Sequence, residues 1–117
     1  EKSKISVKSL DLAEVHDCFT INEIVALEDI GIIEKGRGGK FIEDGNIDLN
    51  GRFPTNTTGG LKSIGHPIGA TGVRQIIDIA KQLRGDSVNQ LKDVKRGIAV
   101  NIGGVGAVSV IHVLDKE

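Results

Sequence analysis

The stretch "NTTGGLKSIGHPIGATG", residues 56–72, decides the reading of this chain. Within it His66 stands between Gly65 and Pro67, and glycines recur at Gly69 and Gly72. Small residues around one polar side chain let the backbone approach a neighbour or a ligand closely. Proline is favoured at the first helical position, so Pro67 predicts a helix start. Val73, Ile76, Ile77, Ala80 and Leu83 then recur at helical spacing, and Gly85 predicts the stop. His66 is thereby expected at the front of that helix. The helix N-terminus carries roughly half a positive charge, which disfavours a protonated imidazole. A neutral imidazole there takes a proton from a nucleophile or donates a hydrogen bond to a substrate oxygen. The plainer alternative is a turn in which His66 only caps the helix.

Towards the N-terminus, "LAEVHDCF", residues 12–19, partly alternates and predicts a short strand running into a loop. Thr20 and Glu23 have the spacing of a capping box, and Phe19 with Ile24 that of a hydrophobic staple. Ile21, Ile24, Val25 and Leu27 mark the apolar face of the helix, and Gly31 its stop. "EKGRGGKFIEDGNIDLNG" reads as loop, and "GRFPTNTTGG" carries at most a short strand. Towards the C-terminus, "RGIAVN" and "VGAVSVIHVL" predict the last two strands, the second apolar enough to be covered on both faces. Strand, helix, strand, helix, strand, strand argues an α/β layered sheet.

Two further sites combine polar and small residues. Cys18 and His16 of "HDCF" lie where a strand gives way to a helix, the end of an open sheet where ligands gather. Cys18 there serves as a proton shuttle or nucleophile, or is simply a small buried residue. Asn101 and Gly103 of "NIGGVG" offer a side-chain amide and backbone N–H groups to an anionic oxygen, or make a tight connection between strands. "GGVGAV" opens no helix and is not a dinucleotide fingerprint, and "GRGGK" lacks the spacing of a phosphate loop. His112 lies in an apolar strand and reads as a core or edge residue. Three histidines and one cysteine lack zinc-site spacing, so no metal is expected.

The bulk numbers agree with one domain. The chain has 117 residues, with Lys+Arg 15 against Asp+Glu 16, which leaves no basic footprint for nucleic acid. No apolar run approaches the ~20 residues of a membrane span. The charged start "EKSKISVKSL" lacks the apolar core of a signal peptide, and a lone cysteine agrees with a reducing, cytoplasmic setting. There is no methionine, so Glu1 is not expected to be a natural start and the domain, residues 1–117, is expected to be incomplete at its N-terminus.

The three sites together resemble the thiolase C-terminal domain. Residues 56–72 are similar to its glycine–histidine–proline block. "EVHDCF" and "NIGGVGAVSVIHVL" are similar to the corresponding blocks of the sterol-carrier-protein type and archaeal acetyl-CoA acetyltransferase branch. The resemblance implies a thiolase-like layered fold, a mixed five-stranded sheet with helices, of which this chain is most of the second βαβαβαββ half. It implies Claisen condensation or thiolysis of acyl-CoA through an acyl-cysteine, with coenzyme A thioesters as substrates and no other cofactor. His66 matches the catalytic histidine, and Gly103 the loop glycine that holds the acyl oxygen. His16 matches a position that is Asn in many thiolases and contributes an oxyanion site. Many thiolases carry an acid/base cysteine where this chain has Asn101, and in this branch Cys18 takes that role. The branch often has His where Val100 stands. The nucleophilic cysteine belongs to the first half, so the chain is expected to be inactive without that half. Implied partners are the N-terminal half, further copies of the protein, a hydroxymethylglutaryl-CoA synthase and a small OB-fold protein. The competing expectations are a thiolase-fold lyase or ketoacyl synthase, and a non-catalytic assembly subunit.

Overall fold

The computed structural model describes residues 4–117 of the chain. A mixed three-stranded sheet runs through the middle, in the order β1 (Leu12–Val15), β2 (Arg96–Gly103), β3 (Val108–Asp115). β1 and β2 are parallel, with Leu12 opposite Gly97, and β2 and β3 are antiparallel, with Gly103 opposite Val108. Four α-helices accompany them among the described residues: α1 (Thr20–Ile30), α2 (Gly38–Glu43), α3 (Gly60–Ile64) and α4 (Thr71–Arg84). The α/β layered class is as the sequence implies, but the five strands expected from the resemblance are three among the described residues. The strand considered for "GRFPTNTTGG" is reduced to a single bridge between Thr55 and Ala13.

Alternation along β1 sorts the core into two layers. Ala13 and Val15 face one side, with Ala26 and Leu27 of α1, Phe53, Ile98 and Val100. Leu12 faces the other, with Ile79 and Leu83 of α4, Leu91, Val94 and Ala99. Strand β1 is buried along its whole length. The sequence reading placed a doubly covered strand at the C-terminus instead. There β3 is exposed over most of its length, because it is an edge strand and, among the described residues, α4 packs mainly against β2 and β1.

Both long helices end where expected, on Gly31 and Gly85 in the left-handed conformation. Their starts differ from expectation. Phe19, not Thr20, is the N-cap of α1, and no side chain caps it. The capping box is not made because Glu23 accepts from Asn56 Nδ2 at 2.9 Å, across the chain. The staple is not made either: Phe19 is 72% exposed. The face that α1 buries is Ala26 and Leu27, while Ile21 and Val25 point outward. "EKGRGGKFIEDGNIDLNG" is not all loop, since it contains α2. Gly38 opens that helix on the Glu28 carboxylate, which accepts its N–H at 2.8 Å.

Helix α4 shows the largest departure. The apolar stripe predicted its inner face, yet Val73 and Ile77 are exposed. The face turned to the sheet is Thr71, Gln75, Asp78, Ile79, Gln82 and Leu83, largely polar. Side-chain partners explain this. Gln75 Nε2 donates to the Val100 carbonyl, and Gln82 Nε2 to Thr57 Oγ1 and the Asn89 carbonyl. Asp78 accepts from Thr58 Oγ1 at 3.0 Å and pairs with Arg74. Helix and strand therefore meet through an apolar end, Ile79 against Leu12, and a polar end that rises towards the C-termini of β1 and β2. None of the described helices is long and apolar enough to cross a membrane.

Candidate active site

The polar end of that interface carries the residues singled out by the sequence. Period-two alternation puts Leu12, Glu14 and His16 on one side of the β1 line, running from apolar core to imidazole. The His16 ring meets the His66 ring edge-on, with centroids 4.8 Å apart and an interplanar angle of 86°. Burial lowers the pKa of His16, and the neighbouring His66 lowers it further, so His16 is held as the neutral imidazole. Its Nδ1 is buried with no hydrogen-bond partner among the described residues. The Asn101 side chain opposes the lowering of the His16 pKa, and it lies against Gly72 at the start of α4, where an added Cβ would come within 2.8 Å of the Asn101 amide.

His66 does not ride on the first turn of α4 as the sequence reading expected. Residues 67–70 form a turn closed by Ala70 N–H on the Pro67 carbonyl, and the helix begins only at Thr71. A side-chain contact orients the imidazole instead: Nδ1 lies 2.7 Å from Thr71 Oγ1. The Thr71 hydroxyl donates to the Pro67 carbonyl at 3.3 Å. With its hydrogen so engaged, Oγ1 accepts from Nδ1–H, which leaves the Nε2 lone pair free as the basic position. Losing one such hydrogen bond is worth about 1 kcal/mol, or about fivefold to tenfold in rate where it aligns a base. In any reaction where His66 serves as base, Thr71→Val is therefore expected to lower kcat about tenfold, and Thr71→Ser to restore it to within about threefold.

Cys18 and His66 open onto one cleft of about 590 Å³, together with Asp17, Phe19, Leu61 and Lys62. Cys18 is exposed, and its sulfur accepts from Asn22 Nδ2 at 3.0 Å. Asn101 ends the strand run "RGIAVN" as expected, but Gly103 is not in the connection between strands. Both belong to β2, whose ladder continues to the Gly103–Val108 pair before the turn. Gly103 does not line the cleft shared by Cys18 and His66. The site thus gathers Cys18 and His66 in one cleft, with the His16 ring against that of His66.

A model of the family described as "Thiolase C-terminal domain-like" matches residues 1–116. The chain belongs to that family. This thiolase C-terminal domain is 44% identical over 115 residues to an acetyl-CoA acetyltransferase of Methanothermobacter thermautotrophicus, covering 97% of the chain and 30% of that protein. It is 40% identical over 111 residues to sterol carrier protein 2 of Bos taurus, covering 94% of the chain and 20% of that protein. Among solved structures, the Ltp2-ChsH2(DUF35) aldolase superposes with a TM-score of 0.85 at 29% identity, over 98% of the chain and 29% of that chain. The domain thus spans a third or less of the length of these relatives.

Sequence reasoning missed several residues that build the thiolase domain's site. Asn56 has a left-handed φ of 50°, which Asn tolerates better than most residues. Its Oδ1 accepts from Val15 N at 2.8 Å and its N–H donates to the Ala13 carbonyl, so it fastens the block of residues 56–72 to β1. Glu14 is 2% exposed, and its carboxylate accepts from both Thr57 N and Thr57 Oγ1 at 2.9 Å. Burial raises its pKa to about 7 against the opposing Thr57 bonds, with Asp78 adding to the rise and Arg74 countering it. Burial and the nearby Asp17 also raise Glu23. An acidic residue inside a strand run was the one available signal for Glu14.

Proposed function

We propose that this domain is the C-terminal catalytic half of an acyl-CoA acetyltransferase of the thiolase type, acting with an N-terminal half that carries the nucleophilic cysteine. The observation that carries this reading is the single cleft onto which Cys18 and His66 both open. In the synthetic direction, His66 Nε2 takes the proton of the nucleophilic thiol, and the thiolate attacks acetyl-CoA. Coenzyme A leaves with a proton, and an acetyl-enzyme remains. Cys18, as thiolate, removes an α-proton from a second acetyl-CoA. The carbanion attacks the acetyl-enzyme, forms the carbon–carbon bond and releases the nucleophilic cysteine. The neutral imidazole of His16 donates to the thioester oxygen as charge develops. Thiolysis is the reverse sequence.

The test is to incubate the full-length protein with acetyl-CoA labelled in the acetyl group. The expected result is label covalently held on a cysteine outside residues 1–117 and discharged by added coenzyme A. The solved aldolase relative favours a second reading, carbon–carbon lyase chemistry on the same fold. Retro-aldol cleavage needs no acyl-cysteine, so turnover of a β-hydroxyacyl thioester without trapped label would replace the first reading with this one.

A further inference from the structure

We propose that Asp17 is a positioning residue that locks the loop bearing His16 and Cys18 to the segment bearing His66. The proposal deepens the thiolase-type reading and rests on it. Asp17 lies between His16 and Cys18 in the chain. Its Oδ1 accepts from Leu61 N at 2.9 Å, in the first turn of α3. A Cβ at Gly60 would stand 2.1 Å from Asp17 Oδ2 and 2.7 Å from its Cγ, so the carboxylate occupies the space that any side chain at residue 60 would need. Gly60 also has a φ of +63°, a conformation that other residues adopt only under strain. The hydrogen bond and the missing Cβ are separate observations of one fitted contact.

The contact has leverage on the chemistry. From Leu61 the chain passes through α3 to Gly65 and His66, and His66 is held at its far side by Thr71. Asp17 anchors the near side of that short segment. The other end of the same contact is the backbone flanking His16, whose ring sits on the His66 ring, and Cys18, which shares the His66 cleft. Two loops that supply different reacting groups are thereby kept in register. A misplacement of about 1 Å between such groups costs on the order of 100-fold in rate. The role needs a hydrogen-bond acceptor of the right shape and not a charge, so Asn serves where Ala does not.

The test measures acetoacetyl-CoA thiolysis by the full-length protein, alongside the nitrogen-15 spectrum of the His66 imidazole. Asp17→Ala is expected to lower kcat about 10- to 100-fold with KM within threefold, and to average the Nδ1–H tautomer signal of His66. Asp17→Asn is expected to keep kcat within threefold and the tautomer signal intact. The proposal is overturned if Asp17→Ala leaves kcat and the His66 signal unchanged, or if Asp17→Asn is as impaired as Asp17→Ala. Absence of thiolysis and of acyl-enzyme in the wild type would remove the thiolase reading. The tautomer signals of wild type, Asp17→Ala and Asp17→Asn then decide the Asp17 contact on their own.

Discussion

His66→Ala in the full-length protein is expected to lower kcat for acetoacetyl-CoA thiolysis by about 100- to 10,000-fold, the range that loss of a general base costs. The size follows from what the ring does. It is the imidazole whose Nδ1 is committed to Thr71, which leaves Nε2 for the incoming thiol. Thermal stability should change little, because the residue belongs to neither core cluster. His66→Asn keeps a donor but has no basic nitrogen. It should therefore retain substrate affinity better than His66→Ala while remaining as slow in acyl-enzyme formation. Steady-state thiolysis together with the rate of acetyl-enzyme formation checks both statements. A rate within a few-fold of wild type for His66→Ala would remove His66 from the role of base.

The second large effect is on stability, and it comes from Glu14. Burial holds its carboxyl protonated up to about pH 7, whereas in the unfolded chain it ionises near its ordinary value of 4.5. Between those values the folded state binds a proton that the unfolded state has released. Stability then falls as pH rises. The contribution is fully present below pH 4.5 and is lost as pH climbs through 7, a change of about 3 kcal/mol at 1.36 kcal/mol per pKa unit. Glu14→Gln preserves an oxygen for the two Thr57 hydrogen bonds and cannot ionise. The expected result is that Glu14→Gln gains on wild type steadily from pH 4.5 to 7, read as the difference in urea midpoints between the two proteins. Taking the difference cancels carboxylates common to both, Glu23 included. Parallel curves across that window would show that Glu14 ionises normally inside the fold.

Much of the architecture is legible in local patterns because those patterns act over a few residues. β1, both long helices and the last two strands are where periodicity places them, and Gly31 and Gly85 end the helices. The errors cluster where a partner distant in sequence outbids a local one. Glu23 has the spacing to close a capping box, yet Asn56, 33 residues away, takes its carboxylate. Helix α4 has an apolar stripe that reads as its core face, yet Gln75, Asp78 and Gln82 face inward because Val100, Thr58 and Thr57 supply their partners. α2 and α3 are too short for periodicity to register, at six and five residues. The candidate site follows the same division. His16, Cys18 and His66 stand out by their residue type and by glycine and proline around them. Asp17, Asn56 and Thr71, which hold them in place, look ordinary until the chain is folded.

The sequence by itself determined the layered α/β class, the family and the three residues on which the chemistry is proposed to turn. Each of these is written in short-range spacing or in the composition of one block. Tertiary structure alone decided which helix face is buried, that β3 is an exposed edge, and that His66 is steered by Thr71 rather than by a helix end. It also decided that Cys18 and His66, far apart in the chain, share one cleft. The reason is physical. Local propensity depends on neighbours within a turn or two, whereas a buried polar group is placed by whichever partner satisfies its hydrogen bonds, and that partner is chosen by the fold.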